Sequence, residues 1–410
     1  MTKPVSYALI GCGNRGRLYA QEFRESLGSG VNLVAVADPD TAGVKQFLEQ
    51  GKFTTRVYAT AQELAAQERN LDGIIIAAPD HLHLESFRAV AHLNVPLLIE
   101  KPLEGNEANF RELARELMSY APPVLIGHCM RHAPILKKAR ELLDQGCIGT
   151  VTSMRFVQNC HYGDIFFRGW HRMKKNITSL FLEKASHDFD IINMMNGESP
   201  ATAVIALSKM KKFGGDMPND LTCNTCPQQL ECSESILNQQ ITIRGTPLDQ
   251  SGSFTKCVYA KEADIGDDEM CMVEFANGVQ VSYIQTFYTP HNYRGRIYTI
   301  IGRDGVMEVD MGHERGQISL HSRYGTIKDK TVFHFDYLGR NHYNGDTYLL
   351  RNFLNVMQGK AQPFTTVQGA IHAELIGLAA ARSVTSRKFE PVEQVASFQD
   401  FATPASGRSK

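Results

Sequence analysis

The chain has 410 residues, a formal net charge of -1, 43% hydrophobic and 21% charged residues. A length of this order points to two domains with sizeable cores, and the near-neutral balance excludes an overall basic field that would draw the chain to nucleic acid or lipid. No apolar run is long enough to span a bilayer, the opening MTKPVSYALIG lacks the features of a signal peptide, and most of the nine cysteines are scattered singly; a cytoplasmic protein with reduced thiols is expected.

The first 130 residues alternate strand and helix patterns. Val5–Gly11 is a short apolar run, followed by a helical stretch from Arg15 to Leu27. Asn32–Asp38 is a second run, followed by a helical pattern over Thr41–Gln50. Gly73–Pro79, Pro96–Pro102 and Pro123–His128 repeat the scheme. Continuous apolar runs bounded by Gly and Pro suit strands buried on both faces, so a doubly wound parallel sheet is expected over residues 1–130. The pattern then changes. Thr150–Asn159 reads as a strand, and Ile177–Asn196 as one helix ending at Gly197. Met270–Phe275 and Val279–Phe287 flank Asn277-Gly278, and Ile297–Gly302 and Val306–Met311 flank Asp304-Gly305. These are hairpin signals, because both pairs tolerate positive φ. Ile318–Ser322 and Thr331–Phe335 continue the series. Helical stretches at Gly345–Gln358 and Thr366–Thr385 complete an α+β domain over 131–402, with an open, largely antiparallel sheet. An insert spans about 209–256, and residues 403–410 read as a disordered tail.

Residues 11–16 read GCGNRG, which fits G-x-G-x-x-G between a strand and a helix. Gly11 permits the tight turn, Gly13 lets backbone approach a pyrophosphate, and Gly16 allows close helix–strand packing, with Asn14 and Arg15 between them. The helix N-terminus adds N–H donors and a positive dipole. Asp38 ends the second strand, where a carboxylate bonds ribose hydroxyls and repels a 2′-phosphate. Its neighbours Pro39 and Asp40 supply no cation, so NAD is favoured over NADP. By this count the fourth strand ends in Glu100-Lys101-Pro102-Leu103. Such strand ends face the ligand crevice, and a lysine held there beside a cationic ring is prepared to exchange protons.

GCGNRG, the acidic end of strand two, the P-x-x-x-H of Pro79–His83 and the EKPL at 100–103 together resemble the glucose–fructose oxidoreductase / inositol dehydrogenase / MocA family. The resemblance implies a Rossmann domain joined to an open-faced sheet through which protomers pair as homodimers or homotetramers. It also assigns Pro79, Asp80, His83, Glu100 and Lys101 to the cofactor side. A second motif, EKASHDFD at 183–190, is similar to the family's D-x-G-x-H-x-x-D, with Glu183 for Asp and Ala185 for Gly. On one helix Glu183, His187 and Asp190 would share a face. His187 matches the catalytic histidine. Glu183 could orient it, bond a substrate hydroxyl, or act as a separate acid or base, and Asp188 is a further substrate candidate. Arg131 and His132 stand where the family has an Arg-aromatic pair near substrate. The FRGWHR segment resembles Trp-Arg segments that approach cofactor and sugar, which brings in Arg168, His171, Arg172 and the single tryptophan, Trp170; it reads equally as a solvated loop around a core Trp. If it faces the cleft, an anionic substrate suits its guanidinium groups. His161 and Tyr162 offer further donors.

Cys223-x-x-Cys226, Cys232 and Cys257 have spacing suited to a four-thiolate structural zinc site, with free thiols or a disulfide as alternatives. His342 and Asp346 resemble a His-to-Asp string before a late helix in some relatives. The expected function is an NAD-dependent oxidoreductase acting on a hydroxyl of a sugar or polyol, with Lys101 and His187 transferring the proton. The alternative is an NAD-dependent glycosidase that oxidises, eliminates, hydrates and reduces. A non-catalytic sugar sensor is disfavoured by the presence of both Lys101 and His187.

Overall fold

The computed structural model describes residues 4–238, 242–243, 246–247, 255–290, 292–312, 314–325, 330–337 and 341–398; the 403–410 tail lies outside them. The first part is built from β1 (Val5–Ile10), α1 (Asn14–Leu27), β2 (Val31–Ala37), α2 (Thr41–Gln50), β3 (Arg56–Tyr58), α3 (Ala61–Gln67), β4 (Gly73–Ile76), α4 (His83–Val90), β5 (Leu97–Ile99), α5 (Glu107–Ser119) and β6 (Val124–Ile126). The strands form one sheet in the order β3-β2-β1-β4-β5-β6, parallel throughout. Tyr7, Ala8, Leu9 and Ile10 are all buried, as expected for a strand covered on both faces. β3 is missing from the sequence reading because its RVY is short, polar-flanked and at the sheet edge. Lys101 therefore follows the fifth strand, not the fourth.

The second part opens with α6 (Pro134–Asp144), β7 (Val151–Asn159), α7 (Ile165–Arg168), α8 (Leu180–Glu183) and α9 (Ser186–Met195). It continues through β8 (Ala201–Lys209), the short pair β9 (Thr242–Ile243) and β10 (Thr246–Pro247), and β11 (Asp268–Phe275) and β12 (Gln280–Thr286). β13 (Arg296–Gly302), β14 (Gly305–Met311), β15 (Arg315–Ser322), β16 (Lys330–Asp336), α10 (Gly345–Met357), α11 (Val367–Ser386) and β17 (Glu390–Pro391) follow. Nine strands form the sheet β16-β15-β14-β13-β7-β12-β11-β8-β17, antiparallel except where β12 meets β7. β8 is an element the sequence reading lacks.

Alternation decides the two faces of this sheet. Cys271, Val273, Tyr283 and Phe156 point inward and are buried, in one apolar cluster with residues of α9 and α11. On the other face Leu207, Met270 and Ile284 sit opposite one another in register and are 44%, 43% and 37% exposed. α11 is apolar nearly all round and accordingly buried. α10 comes late in the chain yet lays Leu349, Leu350, Phe353 and Val356 on the cluster that holds Tyr7 and Phe23 of the first sheet. This return carries His342 and Asp346 to Arg15 in the first turn of α1. Among the described residues no helix is long and apolar enough to cross a membrane.

Candidate active site

The glycine fingerprint lies in the turn from β1 to α1. Gly11 has φ +83°, and a Cβ there would stand 2.4 Å from the Ala78 backbone nitrogen, so only glycine fits. A Cβ on Gly16 would meet the Gly11 carbonyl oxygen at 2.1 Å, the contact that seats α1 against the turn. Gly13 differs: nothing lies within 4 Å of its would-be Cβ. It borders a cleft of about 700 Å³ lined also by Asn14, Arg15, Asp38, Pro79, Trp170 and His171, a size suited to a cofactor. Asp38 is set at the cleft wall by its own acceptor bonds, from the Cys12 N–H at 2.7 Å and the Asp40 N–H at 2.9 Å. An open Gly13, a helix N-terminus and an Asp at the end of β2 fit a dinucleotide. Gly13→Leu is expected to weaken NAD binding about tenfold or more, a cost of roughly 1.4 kcal/mol, with little change in melting temperature. Titration calorimetry beside a thermal melt checks this, and undiminished affinity would disprove a close backbone approach.

Beneath the cleft lies a buried ionic network. The Arg15 guanidinium donates to Glu100 Oε1 and to Asp346 Oδ1, at 2.6 Å each, and to the Tyr19 hydroxyl at 2.8 Å. Burial opposes charge on Glu100 and Asp346, but Arg15 outweighs it and both carboxyls are held below their usual range. Asp346 also bonds His342 Nδ1 at 2.8 Å. Arg15 and Glu100 thus brace the glycine turn against the end of β5. The His83 ring lies between the carbonyls of Ala78 and Leu103, 3.0 Å from each, and ties the loops after β4 and β5 together.

Lys101 extends from the end of β5, and its Nζ donates to the Glu183 backbone carbonyl at 2.8 Å. That carbonyl is available because the expected single helix is broken. α8 stops at Glu183, the Ala185 N–H reaches back five residues to the Leu180 carbonyl, and α9 starts afresh at Ser186. Such local widening is common at functional sites. The break also corrects the shared face: Glu183 stands on a different helix from His187 and Asp190. Glu183 instead faces Asp80. Burial first, and Asp80 next, push its carboxyl well above the usual range. Both Asp80 oxygens and Glu183 Oε1 are buried without a hydrogen-bond partner, and this setting favours the protonated form of Glu183.

His187 enters from the first turn of α9, with rings of His128 and His342 at 5.9 and 5.5 Å. Burial, then Lys101, His342, His128 and Lys184, depress its pKa well below the ordinary value. It is therefore a neutral imidazole, and its buried Nδ1 has no partner. His342 arrives on three successive left-handed residues, His342, Tyr343 and Asn344 (φ 48°, 57° and 69°), a conformation held only when its surroundings demand it. Cys129, His187 and His342 have donor atoms within 4.8 Å of one another. His128 and Lys184 are members of this cluster to which the sequence reading assigned no site role, and His342 is one that it noted only through its resemblance to a His-to-Asp string. The three converge from separate elements. Lys184 is buried, which lowers its pKa, and its ammonium donates to the Tyr162 hydroxyl. His161 packs edge-on against that ring at 5.0 Å. Trp170 stacks on His171 at 3.9 Å and is 41% exposed at the cleft, so it is not core. Burial takes the His171 pKa down to about 4.

Five other proposed substrate contacts lie elsewhere. Arg131 grips Asp190 with both arms at 2.8 and 2.9 Å and Glu198 at 2.6 Å. His132 packs against Phe364 at 5.1 Å. Asp188 is fully buried beneath the second sheet, accepting from the Tyr298 hydroxyl at 2.6 Å and Arg296 Nε at 2.9 Å. Arg168 binds Asp164 at 2.7 Å, and Arg172 binds Glu262 and the carbonyls of Cys257 and Asn219. Both are wholly buried and anchor the insert, so they carry no case for an anionic substrate. A desolvated guanidinium must be fully paired, and here its partners are protein groups.

Comparison with known proteins matches both parts of the chain. Residues 5–128 match the model for the oxidoreductase family with an NAD-binding Rossmann fold, and residues 136–308 the GFO/IDH/MocA C-terminal domain. The chain is 25% identical over 283 residues to the putative oxidoreductase YteT of Bacillus subtilis, covering 64% of this chain and 65% of that protein. It is 24% identical over 206 residues to a 2,7-anhydro-N-acetylneuraminate hydratase of Mediterraneibacter gnavus, covering 48% and 51%. In both cases the chain spans under two thirds of the relative's length. The fold is shared with a levoglucosan dehydrogenase solved with NADH, at a TM-score of 0.73 and 16% identity over 95% of this chain and 100% of that one. With both halves matched in order, the chain belongs to the Gfo/Idh/MocA oxidoreductase family.

Proposed function

We propose that the chain is an NAD-dependent oxidoreductase acting on a hydroxyl of a sugar or polyol. The observation that carries this reading is the convergence of Lys101 and a neutral His187 from different elements beside the dinucleotide cleft. A substrate hydroxyl lying between them donates its proton to the neutral imidazole of His187. The Lys101 ammonium, oriented by the Glu183 carbonyl, hydrogen-bonds the oxygen as negative charge develops there. NAD, when bound, supplies the acceptor for the carbon-bound hydrogen as hydride. His342, braced by Asp346, packs beside His187 and holds the imidazole in place.

A second reading, redox chemistry with no net redox change, is favoured by the Glu183–Asp80 pair. A protonated Glu183 beside the cleft could serve a leaving group as general acid, and the likeness to a hydratase points the same way. Incubating the protein with NAD and a panel of sugars, polyols and glycosides separates the two. The first reading expects reduced nicotinamide to accumulate with free sugars or polyols. Release of an aglycone, or gain of water, with no such accumulation would replace it by the second. No turnover of either kind across the panel would overturn both.

A further inference from the structure

Outside this site, four of the nine cysteines meet in the insert between β8 and β11. The segments around Cys223 and Cys257 run side by side. The Cys223 N–H donates to the Thr255 carbonyl at 2.8 Å, the Cys257 N–H to the Leu221 carbonyl at 2.9 Å, and Thr222 bridges Lys256 in antiparallel register. A tight turn after Cys223 brings Cys226 round, and a second turn, closed by the Cys232 N–H on the Gln228 carbonyl at 3.0 Å, brings Cys232. Cys223, Cys226, Cys232 and Cys257 thereby line one small cavity.

We propose that these four cysteines form a structural zinc site. The residue type, the CxxC spacing and the shared cavity all match tetrahedral thiolate coordination. With four protein ligands the ion has no open position, so its role is to hold the insert together. The insert needs such a staple. Among the described residues its apolar cluster joins Phe213, Val258 and Ile265 to Cys160, Phe167, Ile177, Leu180 and Phe287, a small core, and small units with little core rely on metals or disulfides. Charge also fits. Four thiolates around Zn²⁺ leave a net negative centre, and the wholly buried Arg168 places Nη1 3.5 Å from Cys223 Sγ. The quartet is looser than the Cys129–His187–His342 group, whose donors already lie within 4.8 Å. Coordination would draw its sulfurs to about 3.8 Å apart, as Zn–S bonds of about 2.3 Å require, by rotation of the cysteine side chains. Binding releases the four thiol protons to solvent and involves no change of oxidation state.

The test uses the full chain, expressed with zinc and purified without chelator. Mass spectrometry of the metal content is expected to give about one zinc per chain. Cys226→Ser should lower this about tenfold or more, while replacement of the exposed Cys147 leaves it unchanged. X-ray absorption at the zinc edge of the unmutated protein keeps the proposal falsifiable if the variant does not fold. Four sulfur neighbours at about 2.3 Å are expected, and a mixed nitrogen and sulfur shell would assign the ion to the histidine cluster instead. Less than about a tenth of an equivalent, both as purified and after equilibration with zinc chloride, or a disulfide among the four in peptide mapping, would overturn the site.

Discussion

Replacing Lys101 by alanine is expected to lower kcat by about 10² to 10⁴, the range of a lost acid–base group, while NAD binding remains measurable. Lys101 lies beyond the glycine turn, and its Nζ is held by the Glu183 carbonyl rather than by any group of the dinucleotide cleft. Truncation thus removes stabilisation of the developing charge without disturbing Gly13 or Asp38. Steady-state assay with calorimetric titration of NAD checks both halves. Turnover within a few-fold of the parent protein would dismiss the mechanism, and lost NAD affinity would show that Lys101 serves binding instead. The pH profile supplies an independent reading of His187. Burial and four neighbouring cationic or titratable groups depress its pKa, so the ring remains an acceptor when the pH is lowered through about 6.5, the ordinary histidine value. kcat/KM for oxidation should keep its plateau through that point and fall only at lower pH, when protonation removes the acceptor. An acid limb centred at or above it would exclude His187 as the base.

The largest effect on stability is expected at Asp188, which lies in the first turn of α9 and beneath the second sheet. Its carboxylate is fully buried and gathers Arg296 and the hydroxyls of Tyr298 and Tyr283. Asp188→Ala leaves Arg296, itself 4% exposed and with one Nη already lacking a partner, as an uncompensated charge in a dry interior. Removal of one member of a buried ion pair costs about 3–5 kcal/mol. Urea unfolding followed by circular dichroism should therefore show a large fall in the midpoint. A change below about 1 kcal/mol would mean that water reaches Arg296 and that the network does not brace the sheet.

The sequence reading erred where charge was used as a guide to the cleft. Arg131, Arg168, Arg172 and Asp188 looked like substrate groups because polar residues in or near recognised motifs suit ligands. Arg131, Arg172 and Asp188 found ion-pair partners distant in sequence, Asp190, Glu262 and Arg296, and such partners follow no local periodicity. Arg168 pairs with Asp164 four residues back and reaches the distant Glu234 carbonyl as well. The helix over 177–196 failed for a related reason. Its residues are compatible with a continuous helix, but the break delivers the Glu183 carbonyl to Lys101, a tertiary gain that helical propensity does not contain.

Local chemistry, by contrast, was sufficient for the dinucleotide cradle. Gly11 and Gly16 answer to steric limits set within a few residues of the turn or across the adjacent strand, and Asp38 to the end of a strand whose apolar run is plain. The hairpins at Asn277-Gly278 and Asp304-Gly305 are local in the same sense. Only the tertiary structure decided the surroundings of His187. His128, Lys184 and His342 reach it from three separate elements, and burial of the whole group keeps the imidazole neutral. Spacing along a chain reports what one turn or strand must do. The charge state of a side chain depends on desolvation and neighbours across the fold, and these exist only once the chain has closed around it.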